Sequence, residues 1–430
     1  MSLNGNCFEE LTRRGFLYQM TDEGELRRLL NESQVSFYVG FDPTANSLQV
    51  GNLVPIMAAR LLQNAGHKPI MLVGGATALV GDPSGKQEAR PILTRDEVAA
   101  NAEAFKTQFS RFIRFDGGAA ALVNNADWLK DMLYLDMLRD IGRHFSVNRM
   151  MSMDSVKQRM EAGGISFLEF NYMILQSYDF LVLHQKMGCV LQIGGQEQWG
   201  NIVGGIELVR RIAGAQVFGA TFPLITDRNG QKFGKSVGNA VWLDPKRTSV
   251  FDYYQFWRNT DDGDVARLMK MFTCLPVDEI DRLCDKSGNI NRAKEILAFE
   301  ATQLAHGFDE ARKSFRAAGS KFGFADPESK IATTSKIVET GGATDATADL
   351  PTFALPKSEA ESGCWIVKLL TMTGLCSSNG EARRLIQQGG AYINDAKVDD
   401  LERRIATADF NDGQIILKAG KKNVRRIILS

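Results

Sequence analysis

Histidine and cysteine are scarce and scattered. The four histidines (His67, His144, His184, His306) lie far apart, and the six cysteines (Cys7, Cys189, Cys274, Cys284, Cys364, Cys376) never form a C-x-x-C pair. That spacing supports neither a disulfide framework nor a zinc ligand set, so no protein-held metal is expected. A charge excess is also lacking. Fifty-one Lys+Arg face 51 Asp+Glu, which argues against wholesale coating of nucleic acid but leaves room for a local basic face. No run approaches the ~20 apolar residues of a membrane span, and the start, MSLNGNCFEELTRRG, lacks a basic segment followed by an apolar one. The expectation is a cytoplasmic protein with no membrane partner. What is present is ordinary globular composition, 44% hydrophobic and 24% charged over 430 residues.

From Val35 onward, strand-like apolar runs alternate with amphipathic helical stretches. Strands are expected at 35–40, 69–74, 120–124, 189–194 and 221–226. Helices are expected at 53–65, 95–115, 132–145, 152–160, 167–184 and 200–212. That rhythm implies parallel strands with helical crossovers, a doubly wound, Rossmann-like α/β sheet filling residues 1–245. The turn signal Asp227-Arg228-Asn229-Gly230 puts the basic segment after it on an exposed loop. After Pro245 the strands disappear, and aromatic residues (Phe251, Tyr253, Tyr254, Phe256, Trp257) mark an α-helical domain over 246–323. Residues 324–362 have linker composition, rich in Pro, Gly, Ser, Thr and Ala. A small α+β domain follows over 363–430, with eleven basic residues against seven acidic ones.

Three segments could carry chemistry. The first leaves the opening strand as Tyr38-Val39-Gly40-Phe41-Asp42-Pro43-Thr44 and runs through Gln49-Val50-Gly51-Asn52 into a helix. Ligands of a doubly wound sheet sit at the carboxyl ends of its strands, where a helix N-terminus favours phosphate. The second is the glycine-rich loop from Gly74 to Lys86, with Arg90 beyond. Its spacing is neither that of the dinucleotide fingerprint nor that of the P-loop. The third is Lys232-Phe233-Gly234-Lys235-Ser236, two lysines three apart around a glycine. Lysines closing on a polyphosphate stabilise charge as it develops. Taken singly, each is better read as a turn or a solvated basic loop.

Taken together and in order, they resemble the bacterial-type tyrosyl-tRNA synthetases, class I aminoacyl-tRNA synthetases. The likeness extends through YVGFDPTANSL, LVGGATALVGDPSGK, NNADW, HFSVNRMM, ISFLEFNYMILQSYDF, LQIGG, QWGN, KFGKS, YYQFWRNTDD and SSNGEARRLIQQGGAYIN. The resemblance implies Tyr38 and Asp179 on the phenol hydroxyl of tyrosine, with Asp82, Tyr172 and Gln176 around its ammonium group. Tyr172, Gln176 and Asp179 fall at i, i+4 and i+7 and so share a helix face, a spacing that equally describes a buried polar seam. A site built to satisfy a buried hydroxyl rejects the amino acid lacking it.

The resemblance further implies an ATP site of Gly40, Asp42, Gly51, Gly195, Glu197, Gln198 and Lys235. Thr44, Gln49, Asn52, Lys86, Arg90, Lys232 and Lys235 would act on the phosphates. Here the sequence departs from the family pattern. The His-x-Gly-His signature reads Gln49-Val50-Gly51-Asn52, the usual Gly-Gly-Ser-Asp-Gln reads Gly194-Gly195-Gln196-Glu197-Gln198, and Val39 replaces a common cysteine. Amides still donate N–H bonds but carry no charge.

The implied reaction joins tyrosine to ATP, with accompanying Mg²⁺, as tyrosyl-adenylate. The tyrosyl group then passes to the terminal adenosine of tRNA(Tyr), without a covalent nucleophile on the protein. The end of the chain looks like a small ribosomal-protein-type RNA-binding domain, with Arg383, Arg384, Lys421 and Lys422 facing RNA. A homodimer is implied by resemblance alone. Two alternatives stand beside this reading: a tyrosine-adenylating paralogue with another acceptor, and an RNA-binding homologue that has lost catalysis.

Overall fold

A computed structural model describes residues 6–84, 93–226, 233–236, 239–286, 288–340, 350–411, 413–420 and 423–430, with the side chains of 235, 236 and 239 left aside. The chain divides into two compact units, one of residues 1–244 and 266–280, the other of 245–265 and 281–430.

The first unit is organised by a six-stranded sheet. Its strands are β1 (Gln19–Met20), β2 (Ser36–Phe41), β3 (Lys68–Val73), β4 (Ala121–Asn124), β5 (Leu191–Gly195) and β6 (Phe218–Phe222). The order is β1-β6-β5-β2-β3-β4, parallel throughout except for β1 against β6. β2, β3 and β5 are continuous apolar runs because helices cover both faces of a parallel sheet. Phe37, Val39, Ile70, Met71, Leu72 and Ile193 are accordingly buried.

Capping fixes the helices that matter for the site. Ser166 accepts from the Glu169 backbone N–H, and Glu169 reaches back to the Ser166 N–H at 3.0 Å, starting Phe167–Met187. Gly188 ends that helix in the left-handed region at φ 61°, where a residue without Cβ meets no steric penalty. Thr94 and Glu97 cap Arg95–Phe109 in the same reciprocal way.

Two expectations are corrected. The strand anticipated at 221–226 ends at Phe222, because Pro223 has no N–H for the ladder, and it begins earlier, at Phe218. The single helix anticipated over 132–145 is a succession of short pieces, Tyr134–Asp136, Met137–Ile141 and Gly142–His144, with different hydrogen-bond periods. The turn at 227–230 lies outside the described residues. Residues 266–280, anticipated with the helical domain, pack within the first unit instead. Arg14 holds them by donating to the carbonyls of Lys270, Thr273 and Leu275 at 2.8, 3.1 and 2.7 Å.

In the second unit, Val250–Arg258, Ile290–His306 and Phe308–Phe322 form a helical group whose core holds Tyr253, Tyr254, Trp257 and Phe299. Short strands β7 (Lys235–Ser236) and β8 (Asn239–Ala240) belong to the first unit, so the second unit's strands begin at β9 (Thr352–Leu355). The others are β10 (Cys364–Trp365), β11 (Ala391–Ile393), β12 (Ala396–Lys397), β13 (Arg404–Ile405), β14 (Gln414–Ala419) and β15 (Asn423–Leu429). Five of them make a sheet ordered β12-β11-β14-β15-β9, while β10 pairs with β13. The segment 324–362 is therefore more than a linker. Its Thr352–Leu355 stretch adds a parallel edge strand beside β15.

Candidate active site

The sheet delivers the candidate residues to the carboxyl ends of β2, β3 and β5, where a doubly wound sheet opens a crevice. Tyr38 sits within β2, Asp42 just past its end, Asp82 in the loop after β3, and Glu197 and Gln198 in the turn after β5. The Phe167–Met187 helix presents Tyr172, Gln176 and Asp179 to the same place.

At the inner end, Tyr38 and Asp179 are both buried. Asp179 accepts from Trp128 Nε1 at 2.8 Å and from Asn125 Nδ2 at 3.0 Å. Burial pushes its carboxyl up to about 7; the two hydrogen bonds oppose this and nearby Asp42 adds to it. Burial, then the Asp179 charge, drive the Tyr38 phenol well above its ordinary value. The Tyr38 hydroxyl has no hydrogen-bond partner among the described residues. Gln192, paired with Tyr38 across β5 and β2, also has a buried Oε1 without a partner. A ligand hydroxyl entering here finds an acceptor and unsatisfied polar groups already in place.

At the outer end the polar groups are linked to one another. Tyr172 Oη donates to Asp42 Oδ2 at 2.9 Å, and Gln198 Nε2 donates to Asp82 Oδ2 at 2.7 Å. Asn201 Nδ2 donates to Gln176 Oε1 at 3.0 Å and to Gln198 Oε1 at 3.1 Å. Two carboxylates, Asp42 and Asp82, thus line a cleft rich in neutral acceptors, chemistry suited to an ammonium group.

The nucleotide-side motifs also meet. Asn52 Oδ1 accepts from the Gln49 backbone N–H at 2.9 Å. Gly234 has φ 94°, and a Cβ there would lie 2.9 Å from the Gly51 nitrogen. Glycine at 234 is what lets the K-F-G-K-S segment lie against the Gln49–Asn52 turn. Phe233 stacks on Phe272 at 5.8 Å, and Arg267 donates to the Thr226 carbonyl at 2.9 Å, so the helix Val265–Phe272 touches that segment at Phe233 and the chain upstream of it at Thr226. Thr44 is exposed, with its N–H on the Asp42 carbonyl at 2.8 Å, and Gly40 is exposed at the strand end. The Glu197 carboxylate folds over Gly195, where a Cβ would lie 2.5 Å from it. Lys235 lies in β7. Lys86, Arg90 and Lys232 fall outside the described residues, as do Lys421 and Lys422.

In the terminal domain Arg383 and Arg384 are exposed on Asn379–Gln387, and the Arg383 guanidinium lies 5.2 Å over the Trp365 ring. Arg425 is occupied: it donates to Asp252 at 3.1 and 2.5 Å and to the Thr373 carbonyl at 3.2 Å. Arg426 donates to Gln414 at 2.5 Å.

Sequence reasoning missed Thr77, Asn125, Trp128, Gln192 and Asn201. The quoted NNADW, LQIGG and QWGN segments contain four of these, and an isolated Gln inside the apolar run of β5 was the one local signal. A cavity of about 400 Å³ among Cys7, Arg14, Arg60 and Thr273 shares none of these residues with the strand-end site, and its Arg14 and Arg60 donate to backbone carbonyls. Among the described residues there is no cluster able to hold a metal and no helix long and apolar enough to cross a membrane.

A doubly wound domain with polar side chains gathered at its strand ends, followed by a helical group and a small basic domain, is an architecture suited to binding a small polar ligand. The family description "tRNA synthetases class I (W and Y)" matches residues 30–322, and "Tyrosine--tRNA ligase SYY-like C-terminal domain" matches 343–427. A tyrosine–tRNA ligase of Desulfosudis oleivorans is 52% identical over 97% of this chain and 98% of its own. One from Desulfatibacillum aliphaticivorans is 50% identical over 99% of both. Among solved structures, a C-terminally truncated Aspergillus nidulans mitochondrial tyrosyl-tRNA synthetase superposes with a TM-score of 0.65 at 33% identity, covering 72% of this chain and 92% of its own. The chain belongs to the class I tRNA synthetase family of the tryptophan and tyrosine type.

Proposed function

We propose that the protein is a tyrosine–tRNA ligase: it activates L-tyrosine with ATP to tyrosyl-adenylate and pyrophosphate, then esterifies tRNA(Tyr) for protein synthesis. The observation that carries this reading is the buried, unpartnered Tyr38 hydroxyl beside the buried Asp179 carboxylate. A buried donor left unmade costs about 1–3 kcal/mol, and a substrate phenol hydroxyl is the group that relieves it. The relatives' names, carried over near-complete chains, support the same substrate.

Each residue then has a task. Tyr38 and Asp179 hold the phenol; Asp82, Tyr172 and Gln176 hold the ammonium group; Gly40, Asp42, Gly51, Gly195, Glu197 and Gln198 receive ATP. The tyrosine carboxylate oxygen attacks the α-phosphorus as the bond to pyrophosphate breaks. Thr44, Gln49, Asn52, Lys86, Arg90, Lys232 and Lys235 stabilise the charge gathering on the leaving group, and Mg²⁺ arrives with ATP. Catalysis is positioning and electrostatics, and no side chain forms a bond to substrate.

The reading includes a cytoplasmic homodimer. Leu133, Tyr134, Leu135, Val147 and Phe167 are more than half exposed, at 69, 59, 75, 57 and 69%, an apolar display that supports a second copy as partner. Arg383 and Arg384 support RNA contact. The Gln49-Val50-Gly51-Asn52 signature favours one competing reading, an RNA-binding homologue without catalysis. Tyrosine-dependent ATP–pyrophosphate exchange, followed by tyrosylation of tRNA(Tyr), tests the proposal. Exchange without tRNA esterification would redirect it to another acceptor.

A further inference from the structure

Between the two ends of the cleft runs a chain of hydrogen bonds with a fixed direction. Asn125 Nδ2 donates both its hydrogens, one to Asp179 Oδ2 at 3.0 Å and one to Thr77 Oγ1 at 2.9 Å. Its Oδ1 accepts from the Ala76 backbone N–H at 2.8 Å, so the amide cannot be turned over without losing all three bonds. Thr77 Oγ1, having accepted from Asn125, donates its one hydrogen to Asp42 Oδ1 at 2.7 Å. Asp42 Oδ2 in turn accepts from Tyr172 at 2.9 Å. Thr77 is buried in a short turn after β3. Gly74 makes the contact geometrically available, since a Cβ at that position would collide with both Asp42 Oδ1 and Thr77 Oγ1.

We propose that Thr77 is a specificity-positioning residue: its hydroxyl joins the Asp42–Tyr172 pair at the ammonium end to the Asn125–Asp179 pair at the phenol end, so that recognition of the tyrosine hydroxyl depends on it. The proposal rests on the tyrosine-activating reading above. Thr77 touches no substrate. It acts by holding Asn125 in the orientation that presents one N–H to Asp179 and the other to the Thr77 hydroxyl, which leaves Asp179 aimed at the incoming phenol. Without the hydroxyl, Asn125 loses an acceptor and Asp42 a donor, and unmade buried bonds of this kind rearrange their neighbours.

The test compares Thr77→Val, which keeps the shape and removes the hydroxyl, with Thr77→Ser, which keeps the hydroxyl. Equilibrium binding of L-tyrosine and L-phenylalanine to the full-length protein is measured by calorimetry, beside pyrophosphate exchange with each amino acid. The expected result is a loss of about 10- to 100-fold in tyrosine affinity for Thr77→Val, with phenylalanine changed less than about twofold and Thr77→Ser within about threefold of the parent. An unchanged tyrosine-to-phenylalanine ratio in Thr77→Val overturns the proposal, whether both affinities fall together or neither moves. Circular dichroism identifies an unfolded Val variant, in which case Thr77→Ala, which also removes the hydroxyl, carries the same comparison. A parent protein that binds tyrosine but supports no exchange contradicts the functional reading alone, because the binding ratio still reports on Thr77.

Discussion

The phenol end and the nucleotide end of the cleft are built on different principles. At the phenol end, Asp179 is buried, held by two side-chain donors, and faces an orphaned Tyr38 hydroxyl. At the nucleotide end, Gly40, Thr44 and Gly51 are exposed, and the approach of the K-F-G-K-S segment to the Gln49–Asn52 turn relies on glycine at 234. The first end is buried and keeps an unpaired Tyr38 hydroxyl, which suits discrimination. The second is open backbone with neutral amides where its family carries imidazoles, which suits a large, highly charged ligand that brings its own cation. The comparison teaches that buried, mutually hydrogen-bonded side chains gather around Asp179, whereas exposed backbone and glycine prevail around Gly40, Thr44 and Gly51.

The largest break in that contrast comes from Asp179→Ala. It strands the Asn125 and Trp128 donors and removes the phenol's acceptor, so kcat/KM for tyrosine falls at least about a hundredfold in pyrophosphate exchange. Use of phenylalanine falls far less. Gly74→Ala forces Asp42 and Thr77 apart and is expected to lower stability by about 1–3 kcal/mol, read as a drop in Tm. Tyr38→Phe separates function from stability: tyrosine activation drops about tenfold, while Tm holds or rises because an unpaired buried hydroxyl has been removed.

The Asp179 carboxyl predicts a pH signature with a definite sign. Its pKa is about 7 in the folded chain against an ordinary value of 3.8. The folded state therefore keeps a proton that the unfolded state has released. This group's contribution to stability is full below about pH 4 and is lost as pH rises through about 7. Relative to Asp179→Asn, which does not titrate, the unliganded parent loses Tm across that window, by ~4 kcal/mol of stability at most. Tyrosine binding runs the other way. It strengthens as pH rises through about 7, when the carboxylate becomes available to accept the phenol hydrogen. The smallest effect is expected at the nucleotide end: Gln49→His changes adenylation by less than about tenfold, because the amide it replaces already donates.

Much of this was legible in the sequence. β2, β3 and β5 were readable because fully buried parallel strands are unbroken apolar runs, and the strand-end loops could be located from them. Tyr172, Gln176 and Asp179 were readable as one helical face. What escaped were residues whose meaning lies in partners distant in sequence. Thr77 and Asn125 are 48 residues apart, and neither shows any local sign of holding a carboxylate. β9 was hidden because an edge strand needs only a short T-F-A-L alternation, drowned here by the surrounding Gly, Ala and Thr. The segment 132–145 has helical periodicity throughout, yet it breaks into short pieces whose apolar side chains at 133, 134 and 135 stay exposed.

Tyrosine-dependent ATP–pyrophosphate exchange by the purified, unmodified protein tests the central claim most directly. The account predicts robust exchange with tyrosine, little with phenylalanine, and rates that Gln49→His changes only modestly. No exchange from a folded protein that still binds tyrosine and tRNA would contradict it, and would mean that neutral amides cannot replace the signature imidazoles.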